Sequence, residues 1–449
     1  MPDSVYVKFQ PIDEKAAAGP VVSSCYIALL AAVALTSGMA NGYNGTVLEG
    51  IIPRLQFWGL LKEPIEMGFL EGAMSIGGLL GSLACTELAY VLSRRVLVIV
   101  GEAAIAIGVI GFASVGRAAG SSLVLVLLRM TTGIGVGVCG LAKPLIVSEL
   151  APPRLRGILV SFFAVGQSIG MNLFFLVDWL LPPAQCEWAW RVLGAVGSLP
   201  AFIVMALACA FRSRADAEYW DVAYASAESG KAAGTNAGAP RLLYRMLSVE
   251  PPSVRRNFGL IIAIMVGYNL SGTLVIANYA SDLLSDPTRK LPIVIGVVQL
   301  GGLLTGASLV DKVGRRPLLL CSCTLTVLGL LSIAFMLGVV HVTPSSEGGA
   351  QLWILLSLMV LVEYAVGAGL NPVKNVLAAE LMPNAYRSLG MSLGNAAGWL
   401  LALVSLFLYP IITAHSGGPA PQFAFFGCVV AGLGVLLAWQ LPETKGITF

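Results

Sequence analysis

The sequence predicts an all-α polytopic membrane protein, with twelve transmembrane helices in two six-helix bundles and both termini cytosolic. Three observations lead there. Of 449 residues, 57% are apolar and only 11% charged, whereas a soluble domain carries roughly 25% charged residues. The apolar residues fall into twelve stretches, each near the roughly 20 residues that a bilayer requires. The last six stretches repeat features of the first six. This composition excludes an ordinary cytosolic enzyme, a disordered chain and a small disulfide-stapled secreted domain. The net charge of +3 gives no case for nucleic acid, so the partners expected are the lipid bilayer and a small molecule.

The stretches run 22–48, 66–92, 96–116, 121–148, 157–180 and 191–211, then 257–284, 291–311, 317–340, 351–379, 388–412 and 422–441. They divide the chain into a cytosolic tail 1–21, a first bundle 22–211, a cytosolic linker 212–256, a second bundle 257–441 and a short tail 442–449. The linker carries two helix-capable pieces, Trp220–Tyr224 and Leu242–Leu247, around the flexible tract Ala232–Pro240. The first nineteen residues hold Lys8, Asp13, Glu14 and Lys15 and no apolar core. The first span is therefore expected to act as an uncleaved start signal. There are 51 glycines, above the usual ~7% of a chain, which predicts helices whose backbones approach closely. Cysteines such as Cys25, Cys85, Cys139, Cys209 and Cys428 fall inside the apolar stretches, so they form no disulfide or metal framework.

Orientation follows from the loop cations. With both termini inside, the cytosolic segments hold 18 of the 27 lysines and arginines, and the outside loops hold six. Three lie within spans: Arg129, Lys143 and Lys374.

The repeat is specific. Lys143, Glu149, Pro152 and Arg156, at the end of span four, recur after span ten as Lys374, Glu380, Pro383 and Arg387, each 231 residues on. Gly42-Tyr43-Asn44 in span one returns as Gly267-Tyr268-Asn269 in span seven, and Arg94-Arg95 returns as Arg315-Arg316. Two parallel repeats are a transporter architecture, with the substrate site at their interface.

Asp311-Lys-Val-Gly314-Arg315-Arg316 resembles the inter-span signature of the major facilitator superfamily. The segments Glu149 to Gly157 and Glu380 to Arg387, the pair Trp190-Arg191 and the terminal Pro442-Glu443-Thr444-Lys445-Gly446 resemble its sugar-porter branch. That branch holds facilitative glucose transporters and proton–sugar symporters. The chain reads as a divergent member. Its first-half signature, ending Ser93-Arg94-Arg95, lacks the acid and the glycine. The family's Pro-Glu-Ser-Pro-Arg after span six is replaced by Arg212-Ser-Arg214-Ala-Asp216.

The carboxylates and guanidiniums at the span ends sit in a region of reduced dielectric, where bidentate pairs are strong. The resemblance implies that Glu149, Arg156, Asp311, Arg315, Arg316, Glu380 and Arg387, with Arg94 and Arg95, form a cytosolic latch, closed when the cavity opens outward. Static anchoring of arginines on lipid phosphate is the plainer alternative. For the substrate site, neutral hydrogen-bond partners and an aromatic face suit the hydroxyls of a sugar. Against the family's Gln-Gln-Leu-Ser-Gly, span seven here reads Tyr268-Asn269-Leu270-Ser271-Gly272. By the same resemblance Gln299 falls on a sugar-binding asparagine and Trp399 on a family tryptophan. Gln167 and Asn395 lie one turn from family positions now held by Ala164 and Gly398, and Asn375 replaces a tryptophan. For each such amide a helix–helix hydrogen bond is the alternative role.

Charge inside the spans is the unusual feature: Glu49, Glu71, Glu102, Lys143, Glu363 and Lys374 lie in apolar stretches. Such a charge must pair or line water. The two lysines have three readings, as residues snorkelling to the cytosolic interface, as partners in ion pairs with Glu49, Glu71, Glu102 or Glu363, or, for Lys374, as contacts for an anionic substrate or a coupling carboxylate. The symporters resembled here carry Gly-Tyr-Asp in span one, where this chain has Gly42-Tyr43-Asn44. An amide does not titrate, and Glu49 lies roughly 140° around the helix from it, so facilitated passage is favoured over proton coupling.

The expected function is alternating-access transport of a small polar solute, a hexose or polyol, by a carrier working as a monomer, in the plasma membrane rather than an organelle. One alternative is a proton-coupled organic anion carrier on the same fold. Another is a non-transporting nutrient receptor, disfavoured by the eight residues after Leu441. No cofactor, metal site or catalytic group is expected: the two histidines, His341 and His415, fall in outside loops, and no phosphate-cradling loop is present.

Overall fold

The computed structural model describes residues 24–88, 92, 94–116, 121–150, 155–182, 186–210, 248, 252–284, 290–339, 349–381 and 384–441. The two tails and both helix-capable pieces of the linker lie outside the described residues. Every regular element among those described is an α-helix. The first half contains α1 (Ser24–Thr46), α2 (Leu48–Phe57), α3 (Pro64–Leu88), α4 (Arg94–Ser114), α5 (Ser121–Leu150), α6 (Arg156–Leu180), α7 (Glu187–Val196) and α8 (Leu199–Ala210). The second contains α9 (Pro252–Asn269), α10 (Thr273–Leu284), α11 (Leu291–Val313), α12 (Arg315–Gly338), α13 (Ala350–Ala368), α14 (Leu370–Glu380), α15 (Asn384–Ser416) and α16 (Ala420–Gln440).

These make twelve spans, of which eleven are long and apolar enough to cross a membrane by length and composition. Helix α1, 23 residues long, is the remaining one. The spans fall where the hydropathy pattern places them. The pattern does not reveal that four are interrupted: span one continues as α2, span six is α7 and α8, span seven α9 and α10, span ten α13 and α14.

The interruptions have local causes. Span seven breaks at Gly272, whose φ of +80° lies in the region that side chains disfavour. Ser271 Oγ donates to the Tyr268 carbonyl at 2.6 Å there, so a side chain meets a group the broken helix leaves open. Span ten breaks at Gly369, where Ser322 of span nine inserts. Its Oγ accepts from the Leu370 amide at 3.2 Å and donates to the Ala365 carbonyl at 2.7 Å. The inter-span signature also needs its glycine, because Gly314 joins α11 to α12 at φ +103°. Arg54, counted from the sequence among the outside loops, lies instead in α2. It is wholly buried, with Nη1 on Asp178 at 2.5 Å and on the Gly50 carbonyl at 2.6 Å.

Glycine sets the helix packing. A side chain on Gly166 or Gly170 of span five would strike the Leu35 or Met39 carbonyl of span one, and Gly38 and Gly42 face the backbone at Phe163 and Gln167 in return. Gly77 and Gly81 of span two press in the same way on span four, where Gly133 and Gly137 answer them. Each is a glycine pair four residues apart, the spacing that lets membrane helices touch backbone to backbone. Two of the apolar cores each stay within one half, while the cluster around Tyr43 and Trp190 also takes in Ala277 of span seven. One buried cluster runs from Val254 to Leu441, and the cluster built on Leu30, Leu97 and Val204 lies wholly in the first half.

The halves meet at the end opposite the chain termini. Phe69 of span two and Phe407 of span eleven stand edge to face, with centroids 5.2 Å apart. Tyr279 departs from helical geometry at φ −133°, and the Ser281 amide donates at 2.9 Å to Glu49 Oε1 of α2, across the junction.

The glycine seam predicts a graded outcome. Gly166→Val is expected to cost roughly 1–3 kcal/mol by overpacking, read as a lowered Tm of the purified protein. The same change at Gly301, which has open space around it, is expected to shift Tm much less; equal shifts would contradict the seam.

Candidate functional site

Between the halves lies a small polar cavity to which both contribute. The first half supplies Asn41 and Thr46 from α1 and Gln167 and Ser168 from α6. The second supplies Tyr268, Thr273 and Asn278 from the two sides of the span-seven break, Gln299 from α11 and Asn371 from α14. The break is what brings both pieces of span seven to the cavity. Among the described residues the polar lining is amide and hydroxyl throughout, with no carboxylate or ammonium.

One side-chain bridge crosses the junction. Ser168 Oγ donates to Gln299 Oε1 at 3.3 Å, and Gln299 Nε2 donates at 2.7 Å to Glu363 Oε2 of span ten. Glu363 is fully buried, so the amide is held with its carbonyl oxygen toward the cavity side. An amide oriented this way offers an acceptor to a solute hydroxyl.

Of the site residues expected from sequence, Gln167, Tyr268 and Gln299 line the cavity. Asn269 turns its Nδ2 back to the Met265 carbonyl at 2.8 Å and rests against Gly398. Trp399 lies over Gly78 of span two, at the junction of the halves. Asn395 has a buried Nδ2 without a hydrogen-bond partner among the described residues. The Asn375 side chain lies outside the described residues. Sequence reasoning missed Asn41, Ser168, Asn278 and Asn371. Asn371 was the most accessible of these: it stands between the Gly369 break and Pro372, four residues before the position that was chosen.

The buried charges separate into distinct situations. Lys143 Nζ pairs with Glu102 Oε1, joining spans four and three, both side chains buried. Arg129 donates to the Asn44 carbonyl at 2.6 Å and lies within electrostatic reach of Glu71. The Asn44 amide donates to two carbonyls, Ala40 at 2.8 Å and Gly197 at 3.1 Å. An ionised carboxylate at that position would face those two oxygens as a like charge. Lys374 differs: its Nζ lies 3.0 Å from the centroid of the Tyr268 ring. A cation over an aromatic face gains about 0.5–2 kcal/mol, less than the ~2.5–3.5 kcal/mol or more that a charge costs at a bilayer centre.

At the termini end, the side chains of Arg94, Glu149, Arg156, Asp311, Glu380 and Arg387 lie outside the described residues. Among those described, Arg315 donates to the Val310 carbonyl at 3.3 Å, and Arg316 to the Ala438 carbonyl at the end of span twelve at 2.6 Å. The pair Trp190-Arg191 is also placed: the guanidinium stands 4.8 Å over the indole and donates to the Val115 carbonyl at 3.3 Å.

A family model described as "Sugar (and other) transporter" matches residues 30–215 and 221–449. The chain is 26% identical to the galactose-proton symporter of Escherichia coli K12 over 454 residues, covering 94% of this chain and 92% of the symporter. It is 25% identical to probable polyol transporter 6 of Arabidopsis thaliana over 465 residues, covering 93% and 91%. To the human solute carrier family 2, facilitated glucose transporter member 10, it is 28% identical over 316 residues; these are 69% of this chain and 57% of that transporter. In structure, the xylose transporter XylE of E. coli in a partially occluded inward open conformation matches with a TM-score of 0.75 at 23% identity, covering 95% of this chain and all of that one.

The Lys143–Glu102 pair predicts asymmetric mutational behaviour. Lys143→Met strands a buried carboxylate and is expected to cost about 3–5 kcal/mol, whereas Lys143→Met with Glu102→Gln recovers most of that loss. Thermal unfolding of the two purified variants checks it, and a double variant no more stable than the single one would contradict the pairing.

Proposed function

Because the chain belongs to the sugar (and other) transporter family, we propose that it carries a polyhydroxylated solute, a hexose or polyol, across a membrane by alternating access. The observation that carries this reading is the cavity between the halves, lined by amides and hydroxyls from both. Hydroxyls are donors and acceptors without charge, and Gln167, Asn278, Gln299 and Asn371 match them in kind. Relatives whose names give galactose, polyol and glucose as solutes point the same way.

Alternating access needs two bodies and a junction that opens. The bundles 22–211 and 257–441 are the bodies, with the termini cytosolic. The Phe69–Phe407 contact and the Glu49–Ser281 hydrogen bond close the outer end. The latch residues Glu149, Arg156, Asp311, Arg315, Arg316, Glu380 and Arg387 close the cytosolic end when the outer end parts. Transport is facilitated rather than proton-coupled. In support, span one carries Asn44 with its amide donated to two carbonyls, and no carboxylate lines the cavity among the described residues.

Uptake of labelled hexoses and polyols into liposomes holding the purified protein tests this. A saturable flux insensitive to an imposed pH gradient is expected. Gln299→Ala and Gln167→Ala each remove about 1–1.5 kcal/mol of hydrogen bonding and raise KM roughly tenfold. No flux of any hexose, polyol or other polyhydroxylated solute would overturn the reading; a flux driven by the pH gradient would overturn the facilitated part.

A further inference from the structure

The two halves treat their repeated lysines differently. Lys143 and Lys374 occupy matched positions in the repeat, and Lys143 is neutralised by Glu102 of span three. Glu102 stands seven residues after Arg95, and seven residues after the matched Arg316 stands Cys323, buried in span nine. The second half has therefore placed an uncharged side chain where the first has a carboxylate. Span nine meets span ten through Ser322 instead, by its bonds to Ala365 and Leu370. Among the described residues the partner of Lys374 is the Tyr268 ring alone. Its ammonium has not reached for the membrane interface, because that ring lines the central cavity.

Charge in a membrane span pairs or lines a water-filled path, and here no pairing carboxylate stands among the described residues while the residue stays partly exposed. Asn371, which lines the cavity, lies three residues before Lys374 in the same helix. That places the two about 4.5 Å apart along the axis and near one face. Amides for hydroxyls and one cation a helical turn away suit a solute carrying both kinds of group. A single lysine balances a monoanion; a phosphate dianion would need a second cation, and the cavity lining contains none.

We infer that Lys374 is the docking point for the carboxylate of a polyhydroxylated monoanion, a sugar acid such as a hexuronate or an aldonate. This rests on the carrier reading above and narrows its substrate class. The solute's hydroxyls meet Gln299, Asn371 and Asn278, and its carboxylate takes the ammonium from the Tyr268 face.

Liposomes holding the full chain test it, with labelled D-glucuronate and D-glucose measured in parallel. The wild type is expected to favour glucuronate at least tenfold in Vmax/KM. Lys374→Met is expected to lower that preference at least tenfold, and Lys374→Arg to keep it. Because a variant in span ten can fold poorly, competition on the wild type gives a second readout: unlabelled glucuronate should inhibit glucose uptake at least tenfold more strongly than unlabelled glucose does. Glucose flux with glucuronate neither crossing nor competing would overturn the inference and leave the carrier reading standing, as would a preference unchanged in Lys374→Met. Flux of neither solute, nor of any other hexose or polyol, would overturn both.

Discussion

A polar group inside a bilayer has no water to turn to, so each must find its partner within the protein or along a wetted path. That constraint explains most of what distinguishes this chain. Lys143 finds Glu102, Arg54 finds Asp178, and the Asn44 amide finds two carbonyls. Where a span breaks, a neighbouring side chain takes the freed backbone group, as Ser322 does at Leu370 and Glu49 at Ser281. The breaks are thus tolerated where protein, and not lipid, surrounds them. Lys374, with no carboxylate partner among the described residues, lies beside the cavity.

The same constraint separates scaffold from moving part. Within the first half, glycine pairs let the backbones of spans one and five, and of two and four, come into contact. Such seams have two fixed surfaces and no long side chains to slide, so they suit a rigid body. Between halves, Gly68 and Gly72 of span two face Phe407 and Leu403 of span eleven, beside the aromatic edges of Phe69 and Phe407, the hydrogen bond at Ser281 and the side-chain bridge through Gln299. The break in span seven at Gly272 lies between Tyr268 and Thr273, two of the groups that line the cavity.

The fold class was legible because it rests on length, apolarity and repetition, which survive any local detail. The helix breaks were not. Gly272 and Gly369 are two glycines among many, and only the inserted side chains make them breaks. The candidate site was legible in part. Gln299, Gln167 and Tyr268, named from the family resemblance, stand on the cavity lining. Asn269 and Trp399 do not, because the break at Gly272 turns Asn269 toward span eleven and Trp399 packs on Gly78. Asn371 and Asn278 went unnoticed since their direction depends on where each span is interrupted. The pairing of Lys143 was open among four glutamates; the contact of spans three and four decides it.

For a solute to pass by alternating access, the outer junction must part. Phe69→Cys with Phe407→Cys, at positions whose rings lie 5.2 Å apart, allows the junction to be locked by oxidation in a liposome flux assay, with the oxidised wild type as control. Uptake lost on cross-linking and recovered on reduction is the result this account predicts. Undiminished uptake by the cross-linked protein would contradict it.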